Sequence, residues 1–500
     1  MISPVAREPK HIAIVGGGTA GWLAALILQK SDPSLKLTVV EASDIPTIGV
    51  GEGTTSVFRG MLLELGLDEA EFLRETDATI KYGIRHKDWR KIGHSYDGPI
   101  DDPHQMADAP PSVTSSWLNQ YCVASGRSVT EPHLFTYLMD RGKAPFLQDG
   151  KPLSPFHHAF HFDQSKVGAY LRKEADGITH IDARVEGIVQ DTNGDITKLV
   201  LKDAPPLDVD FVFDCTGFGR AIISKLGSKW ISYSDHLLVN RAMPFWLEHQ
   251  GDIPALTLAH AQKAGWMWAI PTQSRMGCGY VYSDAHTTPD QAKAEIETCL
   301  GVKISPRADI RINAGRLDKA WAQNCVALGL AQSFFEPLEA TSIHGTIVQL
   351  LLFTQTKGNH TRRNAYNAAV ARQGDDFRTF INMHYQTERT EPFWQEARAA
   401  IHPDAAELLQ VWSKKSPSRA DFTSFPGNFP HIEEQLYYPV LDGLGLLDRQ
   451  VAKDEMAQHP KLRAHARKTN EAFIKEFKRA ASAAPKQADF LRSLHQKETV

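Results

Sequence analysis

The stretch Lys10-His-Ile-Ala-Ile-Val-Gly16-Gly-Gly18-Thr19-Ala20-Gly21-Trp22 decides how the rest of the chain is read. A β-branched apolar run breaks into glycines and then enters an Ala/Leu-rich segment ending near Lys30, the pattern of a strand, a tight turn and a helix. A second β-rich run, Leu37 to Val40, ends in Glu41, which stands 20 residues after Gly21. Together these segments predict a parallel βαβ unit.

The spacing Gly16-x-Gly18-x-x-Gly21 has a mechanical reason. Gly16 makes the turn, Gly18 lets backbone approach a pyrophosphate, and Gly21 lets helix and strand pack closely. The helix start, Thr19 and Ala20 included, offers amide donors and a positive dipole end. Glu41 is placed to bind ribose hydroxyls; a carboxylate there suits FAD or NAD and repels a 2′-phosphate. Next comes Pro46-Thr-Ile48-Gly49-Val50-Gly51-Glu52-Gly53-Thr54-Thr55. Its alternating glycines let backbone run beside a flat ligand, while Ile48 and Val50 give the loop something to bury.

The remaining arithmetic narrows the class. With 500 residues, 42% apolar and 23% charged, the chain is an ordinary globular protein larger than one small domain. Lys and Arg total 55 against 59 acidic residues, a formal charge of -4, so nucleic acid and anionic lipid have no electrostatic claim on it. No run approaches the roughly 18 apolar residues of a membrane span. The N-terminus lacks a secretion signal's charged start and apolar core, so a cytoplasmic location is expected. Five widely spaced cysteines without a CxxC pair (Cys122, Cys215, Cys278, Cys299, Cys325) suggest neither a zinc site nor a disulfide framework.

Strand-like runs recur at 198–201, 211–215, 237–240, 267–270, 277–282 and 325–330, so the long middle reads as mixed α and β. Helical periodicity takes over from Ile343, through 343–356, 365–373 and the charged stretch 455–481. Between about 93 and 155, Asp, Pro, His and Ser accumulate, and the stretch reads as long ordered loops or lids. The expected division is a cofactor-binding body over 1–355, carrying this insertion, and a mainly helical substrate-covering region over 356–500.

Another element is Gly265-Trp266-Met-Trp268-Ala-Ile270-Pro271, whose two tryptophans fall on one face of an extended segment. Taken alone they are core aromatics. Combined with Gly16 to Trp22 and Gly49 to Thr54, the WxWxIP element makes the sequence resemble the flavin-dependent tryptophan halogenase family. Further stretches match in the family's order: His161-Phe-Asp163, Phe213-Asp-Cys-Thr-Gly217, Asn324 to Leu330, Phe335-Glu-Pro-Leu-Glu339-Ala-Thr341-Ser342-Ile343, His384-Tyr385, Pro392-Phe-Trp394 and Tyr437-Tyr438. They cover nearly the whole chain.

The resemblance implies an α/β (mixed α+β) chain with a Rossmann-like, three-layer FAD-binding fold akin to the FAD-dependent aromatic hydroxylases. It also implies a two-component reaction, in which a separate flavin reductase supplies FADH2 and dioxygen with chloride or bromide yields hypohalous acid. The oxidant passes through a tunnel to a lysine, matched by Lys81, which hydrogen-bonds the acid or forms a haloamine. Glu339 matches the second catalytic residue, a carboxylate that accepts the ring proton or polarises the oxidant.

Thr341 and Ser342 match the halide-binding positions at a helix start, where many relatives carry glycine in place of Ser342. Val185, Leu330 and Ile343 join the cofactor set by the same matching. The resemblance also implies that Trp266, Trp268 and Pro271 wall substrate from flavin. Where free-tryptophan halogenases carry His-x-Phe-Gly, this chain has His94-Ser-Tyr96-Asp-Gly98, so His94 and Tyr96 take over ring stacking or the pocket is rebuilt. Tyr437 and Tyr438 match the pair near the amino-acid end of the substrate. The expected substrate is an electron-rich aromatic, an indole or a tryptophan derivative. Two other readings stay open: an FAD-dependent aromatic monooxygenase, against which Leu330 replaces the aspartate of the hydroxylases' Gly-Asp pair, and a catalytically silent flavin-binding protein. No metal is expected, and the resemblance admits a homodimer.

Overall fold

The computed structural model describes residues 9–45, 51–109, 116–147 and 150–496. His11–Val15, Thr19–Ser31 and Lys36–Glu41 form the expected strand, helix and strand, with the strands paired in parallel, Val15 opposite Val40. Phe211–Asp214 pairs in parallel on the other side of the first strand, Ile14 opposite Phe213. Cys325–Ala327 and Thr179–Asp182 extend the sheet to six strands, with Trp321–Ala322 at one edge.

Side chains alternate across this sheet and so build two cores. Ile12, Ile14, Val39 and Phe213 pack against helices Thr19–Ser31 and Thr341–Thr356 through Trp22, Leu26, Ile347 and Leu350. Ala13, Val15, Val40 and Val212 face the three-stranded antiparallel sheet of Val185–Gln190, Ile196–Leu201 and Leu207–Asp208 through Ile196 and Leu199. Helix layer, parallel sheet and small sheet make the three layers.

A seven-stranded, mostly antiparallel sheet stands beside this body. It places Gly265–Pro271 between Thr257–Gln262 and Met276–Tyr282, then continues to Gly83–Lys87 and Ser95–Pro99. A small sheet of Gly51–Gly53, Ala159–Asp163 and Thr79–Lys81 fills the space between the large ones. From Thr341 onward the described elements are helical. They do not lie only over one end: Pro460–Ala483 packs on Leu134–Arg141 and Trp117–Ser125, and Oε1 of Gln487 accepts from the Ile80 amide at 2.7 Å.

Two expectations change. The stretch 93–155 contains helices Trp117–Ser125 and Leu134–Arg141 as well as strand Ser95–Pro99, so it is not merely loops. Both helices are short and mostly buried, and each ends on a left-handed glycine, Gly126 and Gly142, the available signal for them. The run 237–240 is irregular, because a turn at Tyr233 takes up the amides of His236 and Leu237, and the ladder begins only at Arg241. No described helix is long and apolar enough to cross a membrane.

Candidate active site

The glycine turn has the form a dinucleotide needs. Gly16 has φ +112°, and a Cβ on it would lie 2.3 Å from the Cys215 carbonyl oxygen; one on Gly21 would lie 1.8 Å from the Gly16 carbonyl oxygen. A Cβ on Gly18 would meet no protein atom within 4 Å, so that face is open. No side chain caps the helix start at Gly18, and the Thr19 hydroxyl is buried without a hydrogen-bond partner, which leaves donors facing the turn. Glu41 ends the second strand beside Gly17 and accepts from His180 Nε2 at 3.2 Å. These groups fit the diphosphate and ribose of FAD.

The remaining matched cofactor residues fall in several places. Ala20 abuts Gly329, next to Leu330; Ile343 is buried on the Thr341–Thr356 helix; Val185 starts a strand of the small antiparallel sheet. Ile48, Gly49 and Val50 lie outside the described residues, and Gly51 opens the strand that follows.

A cavity of about 190 Å³ lies between the small sheet of Gly51–Gly53 and Thr79–Lys81, the seven-stranded sheet and the segment that leads into helix Thr341–Thr356. Gly51, Glu52, Gly53, Lys81, Trp268, Leu330, Glu336, Thr341 and Ser342 are among its lining residues. The helix that begins at Thr341 is entered through Ala340 in the left-handed region and has no side-chain cap, so its first amides are open at the wall that Thr341 and Ser342 form.

Lys81 ends the strand Thr79–Lys81 and is 2% exposed. Its Nζ donates to the Thr54 carbonyl at 2.9 Å, and a Cβ on Gly53 would stand 3.2 Å from that nitrogen, so glycine leaves room for the ammonium. Burial lowers the Lys81 pKa to about 8, against the opposing pull of the Glu339 charge. Thr79 donates to the Pro271 carbonyl at 2.7 Å, tying the lysine strand to the end of the tryptophan strand. With that proton committed, Thr79 accepts from His161 Nδ1, which leaves His161 Nε2 to accept from Thr257 at 2.9 Å. Burial first, and then Lys81, push the His161 pKa well down, so a neutral imidazole lies beside the lysine.

Two carboxyls three residues apart are driven in opposite directions. Glu339 Oε1 lies 2.9 Å from His384 Nε2 and 3.5 Å from His86 Nε2. Burial alone would raise its pKa, but the hydrogen bond from His384 and the nearby His86 ring outweigh it and hold the carboxylate at about 2. Glu336, 1% exposed, accepts from Trp266 Nε1 at 3.0 Å and from the Tyr385 hydroxyl with the same oxygen, while its other oxygen has no partner; burial raises it to about 7. Glu52 is likewise raised to about 7 by burial. Acid and base assignments come from such separated pairs.

The aromatic candidates divide. Trp268 lines the cavity, and its ring occupies the space a Cβ on Gly279 would need, 2.0 Å away. Trp266 lies behind it, against Trp89 at a ring separation of 6.0 Å. Tyr96 stacks on His86, centroids 4.6 Å apart and planes 9° from parallel, and His94 is a half-buried neighbour of Tyr96. Tyr437 packs on Phe380, which in turn meets His384. Tyr438 points into another core and donates to the Pro417 carbonyl at 2.8 Å. Consecutive helix positions point about 100° apart, which separates the two tyrosines.

Sequence reasoning passed over three groups: Glu336, Glu52 and His86. Glu336 lies between Phe335 and Pro337 and Glu52 between Gly51 and Gly53, apolar or glycine neighbours that are a sign of burial. His86 shares the inward parity of Ile84 on its strand, which was the available signal.

The profile described as Tryptophan halogenase matches residues 11–459. The chain is 30% identical to tryptophan 6-halogenase SttH of Streptomyces toxytricini, over 88% of this chain and 90% of that one. It is 32% identical to tryptophan 7-halogenase RebH of Lentzea aerocolonigenes, over 87% and 89%. Among solved structures it resembles Tar14, a tryptophan C-6 flavin-dependent halogenase (chlorinase) from taromycin biosynthesis, with a TM-score of 0.88 at 29% identity, covering 97% of this chain and all of that one.

Proposed function

The chain belongs to the tryptophan halogenase family and is a flavin-dependent halogenase; from that premise we propose that Lys81 and Glu339 carry the halogenation of an electron-rich aromatic, an indole foremost. The observation that carries this reading is the buried Lys81, which lines a cavity walled by Trp268 and feels the charge of Glu339. Bound reduced FAD, delivered by a separate flavin reductase, would supply hypohalous acid from dioxygen and chloride or bromide. The glycine turn, the open helix start and Glu41 would hold it.

Lys81 receives the hypohalous acid and donates to its oxygen, which polarises the oxygen–halogen bond. The ring carbon attacks halogen and the oxygen leaves as water, taking a proton from the ammonium. The arenium cation then loses its ring proton. Glu339 stays ionised at working pH, stabilises that cation by charge and accepts its proton, because an arenium is a far stronger acid than a carboxyl at about 2. Once Glu339 releases that proton to solvent and Lys81 takes one up, arene and hypohalous acid have given haloarene and water. Trp268 and the buried Trp266 behind it keep substrate apart from flavin. Thr341 and Ser342 amides hold the halide. His94 and Tyr96 on one side and Tyr437 on the other are the candidate substrate contacts, whereas Tyr438, turned into another core, is not among them.

The test combines the purified protein with a flavin reductase, NADH, FAD, oxygen and either halide, and reads halogen isotope patterns on indole by mass spectrometry. Lys81→Ala should abolish product while flavin oxidation continues; unchanged halogenation in that variant would sink the assignment. A hydroxylated product without a halide requirement would instead favour a monooxygenase.

A further inference from the structure

Glu339 lies between two imidazoles, those of His86 and His384. Oε1 of Glu339 is 2.9 Å from His384 Nε2 and 3.5 Å from His86 Nε2, and one donor atom from each residue lies within 4.8 Å of the others. We propose that His86, Glu339 and His384 bind a zinc ion, and that an ion held there takes the Glu339 carboxylate out of use and reversibly blocks halogenation. The binding site stands on geometry; only its inhibitory consequence rests on the role proposed above for Glu339.

Two imidazole nitrogens and one carboxylate are a donor set zinc accepts, with three protein ligands and one position left open. A tetrahedral ion with bonds of about 2.0–2.1 Å spaces its ligands roughly 3.3 Å apart, and the two observed separations bracket that value. His384 is already oriented for the task. Its Nδ1 donates to the Phe380 carbonyl at 2.9 Å, the outer anchor that fixes a ligating histidine's tautomer and aims Nε2 at the metal.

His86 supplies the independent sign of a missing ligand. Its ring is wholly buried on the stacked face of Tyr96, and neither ring nitrogen has a hydrogen-bond partner of good geometry. A polar ring buried without partners is costly, and a cation at Nε2 removes the deficit. Glu339 keeps 18% of its side chain exposed, so an ion has a way in. No spacing in the sequence announces the site, because its ligands come from a strand at 83–87, a loop before one helix and the end of another.

The experiment uses FAD-free protein, with Zn2+ by titration calorimetry and Co2+ by visible absorption. The expected result is one ion per chain and the d–d bands of a low-coordinate cobalt site. Loss of an outer anchor alone weakens metal sites about 10–100-fold, so His86→Ala and His384→Ala should each weaken binding at least as much. His360→Ala, which alters a histidine beside Trp321 in another core, should change nothing. His86→Asn serves if the alanine variant fails to fold. Micromolar Zn2+ should stop halogenation and a chelator should restore it. Absence of cobalt bands, or equal uptake by the His86 and His384 variants, overturns the site. Because binding is read without flavin or turnover, a Lys81→Ala enzyme that still halogenates would refute the catalytic reading and leave the metal site standing.

Discussion

The indole N–H of Trp266 donates to the Glu336 carboxyl at 3.0 Å, so the first tryptophan of the signature strand is anchored by the loop that also delivers Glu339. Tyr385 donates to the same oxygen. Glu336→Ala would leave two buried donors unpaired at about 1–3 kcal/mol each. Its midpoint of thermal unfolding should fall well below that of Glu336→Gln, which retains an acceptor. A Glu336→Ala variant as stable as the wild type would show the anchor to be idle.

The same carboxyl gives a pH signature. Its folded pKa of about 7 exceeds the ordinary value of 4.5. The folded state therefore binds more protons between those values, and the stability contribution of Glu336 is complete below about pH 4.5 and declines as pH rises to about 7. Denaturant titrations at pH 5 and pH 8 should show that Glu336→Gln shrinks the wild-type decline.

For Lys81 the sign is reversed. Its folded pKa of about 8 lies below the ordinary 10.5, so the unfolded chain binds more protons and the cost of burying the ammonium is full below pH 8 and relieved as pH rises toward 10.5. Lys81→Met removes that cost, about 3 kcal/mol, but orphans the Thr54 carbonyl. The variant should unfold at or above the wild-type temperature at pH 7, and the difference should move against it by pH 10.

The glycine turn separates folding from binding. A Cβ at Gly21 would lie 1.8 Å from backbone, whereas one at Gly18 meets nothing. Gly21→Ala should cost about 3 kcal/mol or more and express poorly. Gly18→Ala should fold normally yet bind FAD about tenfold more weakly, because its methyl occupies the approach of the pyrophosphate. Flavin fluorescence titration distinguishes them; equal FAD affinity in Gly18→Ala and wild type would remove the turn from the binding site.

Gln487 tests the reach of the last helix. It accepts from the Ile80 amide at 2.7 Å and donates to the Ile253 carbonyl at 3.2 Å. Gln487→Ala leaves that buried amide, next to Lys81, without a partner, at about 1–3 kcal/mol. Halogenation should drop further than FAD affinity, since the loosened strand carries the lysine and not the glycine turn.

How legible each feature was follows from the range of the interaction behind it. The first strand, turn and helix were readable because glycine conformation and apolar periodicity act over a few residues. Helices Trp117–Ser125 and Leu134–Arg141 were hidden because each presents barely two turns among polar connections. Lys81 could be picked out only through resemblance, since Thr-Ile-Lys-Tyr alone describes a surface strand as well as a buried one. Tyr437 and Tyr438 read as a pair, and the helix between Glu434 and Leu444 turns them into different cores.

By itself, then, the sequence determined the βαβ unit, the glycine turn with an acid at the end of the next strand, the mixed middle and the helical last third, all of which depend on local spacing. Tertiary structure alone decided that Lys81 is buried with a pKa near 8, that Glu339 is held near 2 by His86 and His384 while Glu336 is raised near 7, and that Gln487 braces Ile80 across 407 positions of chain. The physical reason is that a buried group's charge state sums desolvation and hydrogen bonds from every segment packed around it, and those segments are neighbours only once the chain has folded.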